Sequence, residues 1–331
     1  SRNELRPLIP DLDSLPFPDR SYYERYRLLR NKTAKMFICS RGCPFNCTFC
    51  SNPSLKKLYR SKGKFVRFRS PVNVVTEIRQ VMSSSRLSFC QFVDELMISD
   101  KEWLRDFLAQ YRKMIRLPFS CPVHARILDE TTVKDLRDAG CDCVSFGVET
   151  GNEVLRRTVL GKDVSNSDII AAAGLLKKHG IRCKTFNMFG LPNETVENAL
   201  ETLRLNRMIR PDYLFASIVQ FLPGTELTEY AMREGIIDKD FAVKSTASYF
   251  KSSIARMRDI KKIIRLQKLF AALVHLPIPE RAVRILLSLH LYVLYEAVFV
   301  VTYGIMVVRS ARKRFLNTLL IGVKLMRYFR S

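Results

Sequence analysis

Three cysteines crowd into eight residues, Cys43, Cys47 and Cys50, in the run CSRGCPFNCTFCSNP with the spacing C-x3-C-x2-C. Nine cysteines in 331 residues are too sparse for a disulfide-built fold, so a cluster this tight reads as metal ligation in a reducing compartment. A structural zinc site needs four closed ligands, yet the next cysteine after Cys50 is Cys90 and no histidine precedes His124. Three thiolates on one loop would hold three irons of a cubane cluster, which takes four cysteines when fully ligated. One iron would then stay open to a substrate or cofactor. A chance group of thiols or a zinc knuckle is the competing reading of the same residues. Cys39, just upstream, is expected to be a buried strand residue.

A loop of this kind needs a scaffold, and the flanking sequence supplies one. From about residue 34 to 235, short β-rich runs alternate with segments of helical period, the mark of a parallel sheet covered by helices. Strands are expected at 34–39, 89–93, 119–124, 143–148, 183–189 and 213–220. Helices are expected at 72–82, 101–115, 130–139, 165–179, 195–208 and 226–234. Gly140 and Gly180 suit helix C-terminal stops, and Asp100 an N-cap. Six such units with right-handed crossovers make an open doubly wound sheet or a partial barrel, and both bind ligands at strand C-terminal ends. The cysteine loop follows the first strand, where such a fold places chemistry.

At a hydrophobic content of 47%, the chain is not a disordered protein. Residues 1–30, with Pro7, Pro10, Pro16 and Pro18, read as an extended linker; they carry no apolar run of the signal-peptide kind. The net charge of +23 is uneven: residues 1–240 hold 38 basic against 29 acidic residues, and residues 241–331 hold 17 against 3. The domain expectation is accordingly a linker over 1–30, a catalytic core over 31–240 and a basic helical tail over 241–331.

The cysteine spacing with an aromatic residue at Phe49 resembles the signature of the radical S-adenosylmethionine (radical SAM) superfamily, C-x3-C-x-aromatic-C. The resemblance implies a partial (βα)6 barrel of the TIM type and a [4Fe–4S] cluster on Cys43, Cys47 and Cys50. It also implies that the open iron takes the amino and carboxylate groups of S-adenosylmethionine. An electron from the cluster would cleave the sulfonium bond, giving methionine and a 5'-deoxyadenosyl radical that abstracts hydrogen from unactivated carbon. Further positions are similar to family motifs in chain order. Val93-Asp94-Glu95 stands where Gly-Gly-Glu often meets the methionine amine, with Glu95 at the acidic position and both glycines absent. Gly147-Val148-Glu149-Thr150-Gly151 resembles a G-x-E-[ST]-G stretch, which would turn Glu149 to the ribose or methionine. Gly190-Leu191-Pro192-Asn193-Glu194-Thr195 resembles the G-x-P-x-E-[ST] turn near adenine. Phe221 opens Phe221-Leu222-Pro223-Gly224-Thr225, similar to the stretch on which adenine stacks. At the third strand end, His124 and Arg126 could meet a carboxylate or substrate anion; surface pairing of Arg126 with Asp129 is the plain alternative. Caps, tight turns and salt bridges remain open readings for each of these positions.

The run Pro10 to Pro18 looks like the linker that joins a cobalamin-binding domain to the radical SAM core. That arrangement belongs to the branch with anaerobic Mg-protoporphyrin cyclase and hopanoid methylases. Ser1 in place of a methionine fits a chain whose natural start, and such a domain, lie upstream. A cobalamin cofactor would favour methylation of a carbon; without it, cyclisation, coupling or desaturation remain. Residues 285–308 form an apolar stretch of bilayer-spanning length, interrupted by Ser288, His290, Glu296 and Thr302 and flanked by Arg281, Arg284, Arg309, Arg312, Lys313 and Arg314. Residues 315–330 repeat a basic amphipathic pattern through Phe315, Leu319, Val323 and Met326. Peripheral contact at the inner face of a membrane, a lipid-like substrate and a cytoplasmic setting with ferredoxin or flavodoxin as electron donor follow as expectations. Packing of these helices over the core is the alternative. Rival functions are modification of RNA, against which the charge lies beside apolar helices rather than aromatic-studded polar strands, and a non-catalytic membrane-associated metal scaffold.

Overall fold

In the computed structural model, residues 3–240 and 249–310 are described. The elements run α1 (Ser21–Glu24), α2 (Arg27–Arg30), β1 (Ala34–Phe37), β2 (Ser40–Arg41), α3 (Ser51–Leu58), β3 (Arg67–Phe68), α4 (Pro71–Ser84) and β4 (Phe89–Phe92). They continue with α5 (Lys101–Met114), β5 (Phe119–Pro122), α6 (Glu130–Asp138), β6 (Cys141–Glu149), α7 (Glu153–Thr158), α8 (Asn166–Lys178), β7 (Arg182–Phe189), α9 (Val196–Ile209), β8 (Tyr213–Ile218) and α10 (Glu226–Arg233). The last are α11 (Ile260–His275), α12 (Glu280–Ser288) and α13 (Tyr292–Ser310).

Six strands form one sheet in the order β1-β4-β5-β6-β7-β8, while β2 and β3 pair as a separate antiparallel ribbon. The pairs β1 with β4, β4 with β5, β5 with β6 and β7 with β8 are parallel. This is the α/β strand–helix alternation expected from the sequence, with all six expected strands present. Caps set several edges as anticipated: Asp100 accepts from Glu102 and Trp103 at the start of α5, and Gly140 and Gly180 carry positive φ after α6 and α8.

The described residues divide into two compact units, one drawn from Ser1–Phe146 and Ser167–Cys183 and the other from Gly147–Asn166 and Lys184–Ser331. In the first, the core gathers on Phe92, whose ring meets Phe107, Tyr111 and Phe119 edge-on at 5.4, 6.2 and 5.6 Å. In the second, Phe189, Leu200, Leu214 and Ile218 of the strands and α9 share a core with Ile263, Leu266 and Phe270 of α11 and Leu287 of α12. Helix α11 therefore continues the core of its unit, although it falls in the basic tail of the sequence.

The apolar run 285–308 is not one helix. Helix α12 ends at Ser288, and α13 starts at Tyr292. Tyr295 is buried and its hydroxyl lies within donating distance of the carbonyls of Leu286 and Leu289, at 2.7 and 3.0 Å, at the end of α12. The amphipathic pattern read over 315–330, and Arg312, Lys313 and Arg314, lie outside the described residues.

Candidate functional site

In the first unit the cysteine loop is anchored before it begins. Asp94, buried after β4, accepts through one oxygen from the amides of Cys39 (2.9 Å) and Ser40 (2.6 Å) and from the Ser40 hydroxyl (2.5 Å). Burial raises its pKa, while the bonds from Ser40 and Cys39 pull it back. The β2–β3 ribbon and a bond from the Arg69 amide to the Cys39 carbonyl (2.8 Å) hold the same stretch from the other side. Gly42 then turns the chain at φ +82°, and a Cβ there would sit 2.6 Å from the Phe65 carbonyl oxygen, so only glycine fits.

The loop closes on helix α3. The Cys50 amide donates to the Cys47 carbonyl at 3.1 Å, and Cys50 caps α3 by accepting the Asn52 amide on its sulfur at 3.5 Å. Lys56 bonds back to the Pro44 carbonyl and to Asn46, both at 3.3 Å. Phe45 stacks on the buried His124 ring, 4.0 Å between centroids and 14° between planes.

Cys43, Cys47 and Cys50 form no disulfide and are half-buried, whereas the six other cysteines form no disulfide and are buried. Burial holds the thiols of Cys39 and Cys141 well above the ordinary range and that of Cys90 at about 11. Protonated thiols are poor ligands, so these three are unsuited to a metal, whereas the loop trio is half-buried and gathered on one loop. Among the described residues no group of three or more His, Cys, Asp and Glu closes on one point as single-ion ligands would. A cubane instead takes one thiolate per iron corner, which three separate thiols on one anchored loop fit.

The remaining residues singled out in this unit have different settings. Phe49 is half-buried beside Cys50, Glu95 is exposed, and Arg126 is exposed on the turn after β5. Asp129 does not wait for Arg126: it caps α6 and pairs with Lys101 at 2.5 Å. Asp94 serves the backbone through one oxygen; the other has no hydrogen-bond partner.

In the second unit the end of β6 is bent by Glu149, a non-glycine residue at φ +62°. Its carboxylate folds back over Gly147, where a Cβ would lie 1.7 Å from the nearer oxygen, and pairs with Lys162 at 2.8 Å. Lys162 also donates to the Gly147 carbonyl at 2.8 Å. Arg156, fully buried, donates to the carbonyls of Val148 (3.1 Å), Val164 (2.9 Å) and Thr150 and to Asn166 (2.7 Å). Gly151 admits no side chain, since a Cβ would stand 2.3 Å from the Glu201 backbone. The G-x-E-T-G run is thus a packed turn. Sequence reasoning missed its two cations, Lys162 and Arg156.

The turn after β7 is built on Glu194. It is fully buried and accepts the amides of Gly190 (2.6 Å) and Leu191 (3.2 Å) on one oxygen, leaving the other without a partner. Burial outweighs those two bonds and pushes its pKa up to about 8. Gly190 stands at φ +80°, Pro192 is buried beside it, and Phe221 is buried past β8.

Comparison with known proteins fits this arrangement. The sequence pattern of the radical SAM superfamily matches residues 37–205, just over half of the chain. The chain belongs to that superfamily, whose cofactors are a [4Fe–4S] cluster and S-adenosylmethionine. It is 28% identical over 240 residues to an uncharacterized methyltransferase of Pyrococcus horikoshii, covering 71% of this chain and 50% of that one. It is 29% identical to the anaerobic magnesium-protoporphyrin IX monomethyl ester cyclase of Rubrivivax gelatinosus (62% and 37% covered) and 23% identical to the hopanoid C-2 methylase of Rhodopseudomonas palustris (61% and 38%). The chain spans half or less of the length of these relatives. Among solved structures, the methyltransferase TsrM of Kitasatospora setae with cobalamin and a [4Fe–4S] cluster bound matches with a TM-score of 0.54 at 18% identity, covering 65% of this chain and 41% of TsrM. That likeness shows the fold, the partial TIM-type barrel expected from the sequence.

Proposed function

We propose that this chain is the radical-generating core of an enzyme that modifies an unactivated carbon of a small molecule, with methylation ahead of cyclisation, coupling or desaturation. The observation that carries the reading is the loop of three half-buried thiols outside any disulfide that starts on the clamped residues Cys39 and Ser40 and ends on a helix cap. Cys43, Cys47 and Cys50 would hold the cluster, and the iron they leave unligated would take S-adenosylmethionine. When bound, the cluster and nucleotide supply reductive cleavage of the sulfonium bond and a radical able to abstract hydrogen from carbon.

The chain's own residues do the rest. Gly42, Asp94 and Cys50 hold the loop in one shape. Glu95 and Arg126 are the groups for the methionine amine and carboxylate, and Phe49 sits next to the cluster. Glu149, paired with Lys162, faces the ribose or methionine, while Phe221 and the Gly190–Pro192 turn take the adenine. Methylation is favoured by the methyltransferases and methylase among the relatives, and a cobalamin domain upstream is the corresponding expectation. A ferredoxin or flavodoxin supplies the electron. The outer face of α13 favours a lipid-like substrate met at the inner surface of a membrane.

The test is anaerobic reconstitution of the chain followed by reduction with S-adenosylmethionine present. Release of 5'-deoxyadenosine is expected; cluster-loaded protein that yields none would overturn the reading.

A further inference from the structure

Among the described residues α13 is the one helix long and apolar enough to cross a membrane, over Tyr292–Arg309. Its inner face is already taken. Tyr295 and Met306 are buried in the core that holds Phe270 and Leu287, and Phe299 and Tyr303 meet the Phe250 ring at 5.4 and 5.3 Å. Tyr213, at the start of β8, donates to the Arg309 carbonyl at 3.2 Å. A helix fastened along one side to the strand and helices of its own unit is not free to be surrounded by lipid.

The outer face is bare. Val293, Ala297, Val301 and Ile305 follow one another at intervals of four and so line one stripe, about 18 Å long. Val293 is 85% exposed, Leu294 51%, Val301 59% and Ile305 45%. No charged residue interrupts the helix between Glu296 and Arg309. An apolar stripe of this length left in water forgoes the free energy of burial, which marks it as a contact surface.

Charge identifies the partner. Residues 241–331 carry 17 basic and 3 acidic residues, and each of the three acids is engaged within the unit. Glu280 pairs with Arg204 and Arg284, Glu296 pairs with Lys268, and Asp259 accepts the Val196 amide. A second copy of the chain would bring the same surplus of positive charge against this one. Acyl chains beneath anionic headgroups match both the stripe and the surplus of positive charge in this part of the chain.

We propose that α13 lies in the plane of an anionic bilayer, with the Val293–Ile305 stripe in the acyl boundary and the exposed Arg309 at its end among the headgroups. The contact needs neither cluster nor nucleotide, so its failure would leave the radical chemistry untouched, and the reverse holds as well. The full chain is sedimented with vesicles of phosphatidylcholine alone and of phosphatidylcholine mixed with phosphatidylglycerol. Binding is expected only where phosphatidylglycerol is present, to weaken as salt rises, and to be released by alkaline carbonate. The double substitution Val293→Asp and Val301→Asp, at exposed positions, is expected to weaken it about tenfold or more with the circular dichroism unchanged. Equal binding to both vesicle types, equal binding by the folded double variant, or no binding at all would overturn the proposal. Resistance to carbonate would replace it with a span, and a wild-type dimer that the double variant separates would assign the stripe to a second copy.

Discussion

Glu149 and Glu194 are two buried carboxyls held in opposite ways. Glu149 keeps a cation, Lys162, at 2.8 Å, with both side chains under 10% exposed. Removing one partner of such a pair strands the other, so Lys162→Met is expected to cost about 3–5 kcal/mol of stability, measured by urea unfolding. Glu194 has only two amides, and its pKa stands at about 8 in place of the ordinary 4.5. The folded chain therefore keeps a proton in that window that the unfolded chain gives up. The stabilisation from this proton is complete below about pH 4.5, is lost as pH rises toward 8, and is flat above. Glu194→Gln, which cannot ionise, should remove that dependence, so the stability difference between wild type and variant should drift in the variant's favour from pH 4.5 to 8 in urea titrations. No drift would mean that the carboxyl finds solvent or a cation.

At the scale of elements, the junction from β1 into the cysteine loop depends on Asp94. Asp94→Ala leaves the Cys39 and Ser40 amides without their acceptor, each a buried group whose loss costs about 1–3 kcal/mol. Asp94→Asn keeps an acceptor oxygen. The expected outcome is poor iron retention after desalting for the alanine variant and near-normal retention for asparagine; equal retention by both would remove the anchor from the account. The strands were legible in the sequence because apolar and β-branched runs between helix-period segments leave few alternatives, and Asp100, Gly140 and Gly180 advertised their helix ends. The β2–β3 ribbon was not, because two-residue strands have no period to detect. Helix α3 escaped notice because its cap is a cysteine, outside the usual capping residues, and α7 because it is only six residues long. Within the site, the three cysteines were plain from spacing. Lys162 and Arg156 were not, since a pair separated by 13 residues across a bent turn leaves no mark on hydrophobic periodicity. Asp94 was read as part of the stretch that meets the methionine amine, and the sequence had no way to tell that one of its oxygens would be spent on backbone amides.

For the molecule as a whole, the basic tail divides between the core and the outer surface. Phe270 of α11 is fully buried and meets Phe189 of β7 edge-on at 5.0 Å. Phe270→Ala is expected to cost about 3–5 kcal/mol in urea unfolding, as for any large core aromatic, whereas a loosely attached tail would show almost no change. The sequence presented this tail by charge and hydropathy alone, and neither distinguishes a core helix from a surface one when both carry long apolar runs. The whole account turns on three loop cysteines sharing a cluster with one corner left for a nucleotide. Electron paramagnetic resonance of the reduced, anaerobically reconstituted chain measures this directly, with and without S-adenosylmethionine and with Cys47→Ala beside it. The account predicts a [4Fe–4S] signal that shifts when the nucleotide is added and is lost in the variant; a signal indifferent to both would contradict it.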